Sequence, residues 1–89
     1  MNTDKLFKFM YRGISPKNLN DSTLNSGIYR LGDPPYTNAP TAHIYGILVA
    51  FKDGYSYGGQ IIFGTNVNKI YLRTWIFSES AYSDWMELS

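Results

Sequence analysis

The chain has 89 residues, 8 basic and 7 acidic side chains, a formal net charge of +1 and no cysteine. That length supports one domain with a small core, and 44% apolar against 17% charged residues describes a chain that folds. The lack of thiols excludes a disulfide framework and any thiolate metal site, and the near-neutral charge, with basic residues spread from Lys5 to Arg73, argues against nucleic acid, which needs a clustered basic surface.

In chain order, residues 2–5 are polar or charged and no apolar segment of secretory length follows. The longest apolar run, residues 47–51, is far short of the ~20 needed to span a bilayer, so neither general secretion nor membrane insertion is expected. Phe7, Phe9 and Tyr11 alternate with Lys8, Met10 and Arg12, which predicts a strand within an N-terminal connecting segment, residues 1–17. That strand is expected to pair outside the β domain, which is assigned to residues 18–89. Cap-type residues around a short apolar spacing predict one helical turn over residues 18–24. A short strand over 28–31 precedes a loop over 33–41 that Pro34, Pro35 and Pro40 hold rigid.

Residues 44–52 favour β-structure and are apolar on both faces, with Tyr45, Ile47, Val49 and Phe51 on one and Ile44, Leu48 and Ala50 on the other. This predicts a central strand buried on two sides. Asp53-Gly54 predicts a type I′ turn into a second arm over residues 55–63, interrupted by a bulge or bend at Gly58-Gly59. A turn over 64–68 leads to a strand over 69–77, a reversal over 78–81 and a last strand over 83–88. The expected fold is mainly β: a small single-domain antiparallel sheet built from successive hairpins, with at most a short helical turn.

Catalytic constellations are poor. His43 is the only histidine, and no serine lies in a nucleophile elbow. Asp53 belongs to a turn, and Asp84 and Glu87 fall on opposite faces of a regular strand, so no carboxylate pair for glycoside hydrolysis emerges. No phosphate, dinucleotide or calcium motif is present. No enzyme activity, cofactor or metal is expected.

Binding surfaces are better supplied, because aromatic residues make up 17% of the chain. A sugar site needs an apolar platform for the C–H face of a ring, with amides or charged groups nearby for its hydroxyls. Arg73 and Trp75 share a strand face by parity, and an outward-looking face would make them such a platform. The competing reading packs Trp75 in the core. Gln60 is the next candidate, against a role in bonding backbone. Tyr36 and Asn38 lie in the proline-rich loop, where a rigid loop suits recognition; the competing role for Tyr36 is a lid on the core. Trp85 and Leu88 are read as residues that close the core.

The order of the pieces then becomes informative. Asn18-Leu19-Asn20, Gly27-Ile28-Tyr29, Thr37-Asn38-Ala39-Pro40, Gly46-Ile47-Leu48-Val49, Gln60-Ile61-Ile62-Phe63, Ile70-Tyr71-Leu72-Arg73 and Ser83-Asp84-Trp85, with Leu88 near the end, form a series that resembles the pyocin-knob type domain of phage tail fibres and phage-tail-like bacteriocins. The resemblance spans most of the chain. Such domains often carry a tryptophan three residues before the second one, where this chain has Tyr82. The resemblance implies a non-enzymatic β-rich module at a fibre tip, commonly trimeric, that attaches to a bacterial surface receptor such as a glycan. It implies a virion-tail location after synthesis in the bacterial cytoplasm. The alternative within the same family is a fibre cap, spacer or trimerisation module with no ligand of its own.

Overall fold

The computed structural model describes residues 10–54 and 56–88. Among them seven strands form one sheet: β1 (Tyr11–Ile14), β2 (Gly27–Leu31), β3 (Gly46–Lys52), β4 (Gly58–Gly64), β5 (Lys69–Ile76), β6 (Ala81–Tyr82) and β7 (Met86–Glu87). The strands run β1-β2-β3-β4-β5-β6 across the sheet, and β7 also pairs with β5. The fold is mainly β, as the sequence predicts, with a single turn of 3-10 helix at Phe77–Glu79. All pairings are antiparallel except β1 on β2, which is parallel. Residues 15–26 supply the crossover that a parallel pair requires. Tyr11 therefore pairs inside the domain, with Ile28, and not outside it. Phe7 and Phe9 lie outside the described residues.

The crossover is not helical. Asp21 and Leu24 donate their amides to the carbonyls of Asn18 and Asp21, and the side chains of Asn18 and Asp21 accept from the amides of Asn20 and Thr23 at 2.9 and 2.8 Å. These short polar side chains satisfy the backbone locally, which removes the advantage of a helical turn. The two tight turns drop Leu19 and Leu24 onto the sheet, where both are fully buried.

The core lies on one face of the sheet. Tyr29, Leu31, Leu48, Ala50 and Ile62 point inward from the strands, and Leu19, Leu24, Tyr36 and Ile44 come down on them from the connecting loops. Among the described residues the other face has no second layer. β3 is central, but it is buried on one side only: Ile47 and Phe51 remain 37% and 44% exposed. The expected two-sided burial is not met among the described residues, whose buried loop side chains, Leu19, Leu24, Tyr36 and Ile44, all land on the one face.

The β3–β4 connection is longer than a two-residue type I′ turn. Lys52 pairs with Gly58, so residues 53–57 form the loop. Only Gly54 of the Asp-Gly pair is left-handed, with φ 89°. The Asp53 carboxylate accepts from the amides of Ser56 and Tyr57, both at 3.0 Å, and closes the loop. Gly58 and Gly59 are regular ladder positions, paired with Lys52 and Phe51, and not a bulge. Their lack of side chains has a packing reason. A Cβ on Gly59 would come 2.9 Å from the Phe51 ring and 2.9 Å from the Arg73 carbonyl oxygen.

Candidate functional site

A bulge builds the site. Along β5 the chain steps three residues from Trp75 to Leu72, while their partners step four, from Tyr82 to Met86. β6 and β7 are thus one strand with an extra residue inserted opposite Arg73. At the insertion the Ser83 hydroxyl oxygen accepts the Thr74 amide at 3.0 Å. In an unbroken strand, residues three apart face opposite sides. The bulge puts Tyr82 and Trp85 on the same side, and both rings pack against the guanidinium of Arg73. Its Cζ lies 4.0 Å from the Tyr82 ring centre and 4.6 Å from that of Trp85.

Arg73 is 95% buried and is held by its edges as well, since its exposure is 5%. Nε donates to Gln60 Oε1 and Nη2 to the Leu19 carbonyl, both at 2.9 Å. Gln60 Nε2 donates to the same carbonyl at 2.8 Å. Trp85 Nε1 donates to the Asn38 carbonyl at 2.9 Å, and Asn38 Nδ2 donates to Asn18 Oδ1 at 2.7 Å. This network ties the crossover, the proline-rich loop, β4, β5 and the last strand together. Burial lowers the Arg73 pKa to about 10, which leaves it cationic at neutral pH. Burial also raises the Tyr82 hydroxyl above its usual range, so this ring is neutral there.

A groove runs over this network. One end, about 320 Å³, lies between the β3–β4 loop and the rings of Trp75 and Tyr82. The other, about 460 Å³, continues past Arg73 to Asn38, Ser83 and Trp85. The two ends share Asn20, Trp75 and Tyr82 as a common wall. Trp75 meets Tyr82 edge-to-face, with ring centres 5.1 Å apart and an interplanar angle of 82°. These volumes are of the size that holds small ligands. The lining combines aromatic area, amides, hydroxyls, the cations of Lys52 and Arg73 and the carboxylates of Asp53 and Asp84, a mixture that suits sugar recognition.

The structure brings Arg73, Trp75, Gln60 and Asn38 together and leaves Tyr36 out. The expected outward platform of Arg73 and Trp75 needs correcting. Their shared face is the inner one, and Arg73 is buried under the groove, not displayed on the sheet. Trp75 remains half-buried at the groove wall. Gln60 is 99% buried, at 1% exposure, and spends its amide on backbone and Arg73. Tyr36 is a lid on the core: it is 2% exposed, and its hydroxyl accepts the Asp33 amide at 2.9 Å. Trp85 packs against the core as expected, whereas Leu88 is 54% exposed and closes nothing. Tyr82, Ser83 and Asn20 line the groove and were not singled out as ligand residues by parity. The bulge hides Tyr82, and the three-residue spacing of the aromatic pair was the available signal.

His43 is exposed, and its carbonyl accepts the Asn66 side-chain amide at 3.0 Å. Among the described residues no group of three His, Asp or Glu side chains is placed to hold a metal ion. No protein-family model, curated protein or solved structure matches this chain.

Proposed function

We propose that this chain is a pyocin-knob-like domain of a phage or prophage tail fibre, which attaches the fibre to a bacterial surface glycan through the groove and performs no catalysis. One observation carries the reading. The pieces on which the resemblance rests are scattered from Asn18 to Trp85, yet they meet in two hydrogen-bonded clusters, Leu19 with Gln60 and Arg73 and Asn18 with Asn38 and Trp85, which the Arg73–Trp85 ring contact joins. That network forms the floor of a cleft with a sugar-compatible lining. The domain would sit at the fibre tip as one of three copies. Weak contacts per copy then sum to useful avidity.

A second reading, a cap or spacer that holds the fibre together, is favoured by the sheet face opposite the core, which no second layer covers among the described residues. Cross-strand pairing lines up Ile28, Val49, Ile61, Leu72 and Met86, and beside them Ile47, Phe63 and Ile70. An apolar surface of this kind marks a contact with other subunits.

The test is adsorption of a fluorescent trimeric fusion of the chain to a panel of bacterial strains. The expected result is adsorption to a subset of strains, competed by their extracted polysaccharide, with no release of reducing sugar. A stable trimer that adsorbs to none of them would leave the spacer reading in its place. Release of reducing sugar would contradict both.

A further inference from the structure

We infer that the end of the groove between Asn38 and Trp85 takes a carboxylate-bearing sugar, such as a uronic or sialic acid residue of a surface glycan, anchored by Arg73 Nη1. This rests on the glycan-binding reading above and names the sugar class.

The starting point is an uncompensated charge. Arg73 is 95% buried, since its exposure is 5%, yet its two acceptors, the Leu19 carbonyl and the Gln60 side-chain oxygen, are neutral. The ion pairs among the described residues join Lys17 to Asp33 and Lys69 to Glu87. Arg73 has no such partner. A cation taken out of water and faced only by dipoles retains a large unmet demand for an anion. Aromatic rings against the guanidinium relieve part of it.

The second observation is an open edge. Nε and one N–H of Nη2 are committed, but the second N–H of Nη2 and those of Nη1 donate to no protein atom among the described residues. No enclosed side-chain nitrogen or oxygen among those residues lacks a partner. Nη1 therefore reaches the water of the groove that Arg73 helps to line. A guanidinium edge offers parallel N–H donors in the geometry of a carboxylate, which a lone hydroxyl does not exploit.

The surroundings then select a sugar acid over a bare anion. The Trp75 ring on the shared wall is an apolar platform for a pyranose C–H face, and Asn20 and Ser83 stand beside it for hydroxyls. The exposed carboxylate of Asp84 also lines this end and opposes an anion. It keeps single-copy affinity low, consistent with a site that works through several copies, and it provides a handle for the test.

The test is titration of the folded chain, followed by NMR through the Arg73 Nε–H and Trp85 indole N–H signals. The probes are glucuronate, N-acetylneuraminate, methyl glucoside and acetate. Glucuronate or N-acetylneuraminate is expected to move both signals and to bind at least about tenfold more tightly than methyl glucoside and acetate. Asp84→Asn is expected to tighten acid binding roughly threefold, by removing a nearby like charge, and to leave methyl glucoside unchanged. Arg73→Lys keeps the charge without the fork and is expected to lose the preference. Equal affinity for glucuronate and methyl glucoside would overturn the acid assignment while leaving glycan binding standing. Acetate binding as well as glucuronate would reduce the site to a simple anion pocket. Signals that none of the probes moves, or no response to Asp84→Asn, would also overturn it.

Discussion

Arg73 does two jobs at once, since it holds Leu19 and Gln60 in place and supplies the charge under the groove. Its replacement by methionine strands the Gln60 side-chain oxygen and leaves two aromatic rings without their cation. The expected cost is about 3 kcal/mol, a fall in melting temperature of roughly 12–24 °C at this size. Trp75 is different: it is half-buried, so Trp75→Ala is expected to cost less than a fully buried tryptophan does, with a melting-temperature fall under about 15 °C. A larger fall would make Trp75 a core residue and remove it from the ligand surface. That Arg73 and Trp75 share a face was legible, because strand parity is a property of the chain alone. Which face looks inward was not, because parity cannot say where the loops will land. Tyr82 escaped for a related reason. The bulge opposite Arg73 breaks parity, and a bulge depends on pairing between strands.

The hairpin of β3 and β4 shows the same division at the scale of elements. Two β-favouring arms and the place where they reverse could be read directly, since Asp-Gly interrupts runs of strand formers. The loop length could not, because it is set by the Asp53 carboxylate reaching forward to the Ser56 and Tyr57 amides. Gly54, with φ 89°, is the one residue of that pair in the region where a side chain is strained. Gly54→Val is expected to destabilise the domain by about 1–3 kcal/mol, read as a lower urea midpoint with an unchanged slope. A midpoint equal to that of the parent would place no strain at this position. Residues 18–24 gave the opposite outcome: cap-type residues were present, but they capped turns. Asn and Asp serve either purpose, and tertiary contacts of Leu19 and Leu24 decide between them.

At the scale of the molecule the governing asymmetry, among the described residues, is a sheet with one closely packed face and one face whose apolar side chains are partly exposed, Ile47 and Phe63 at 37% and 43%. On that face, among the described residues, Arg30 is the only charged side chain in register with the two apolar rows, opposite Ile47. A trimer that covers this face is expected to sediment as such, and Phe63→Lys, at a position 43% exposed, is expected to return it to monomer with little loss of melting temperature. A parent chain that stays monomeric at high concentration would contradict a subunit contact there. The groove lies on the packed side, so the proposed attachment and the proposed assembly would use different surfaces and should separate by mutation. The most direct measurement is a glycan array probed with the chain fused to a foreign trimer, as parent, Trp75→Ala and Phe63→Lys. Binding to bacterial glycans that is lost in Trp75→Ala and kept in Phe63→Lys is the predicted result. Binding lost in Phe63→Lys and kept in Trp75→Ala, or no binding by the parent, would contradict a glycan site in the groove.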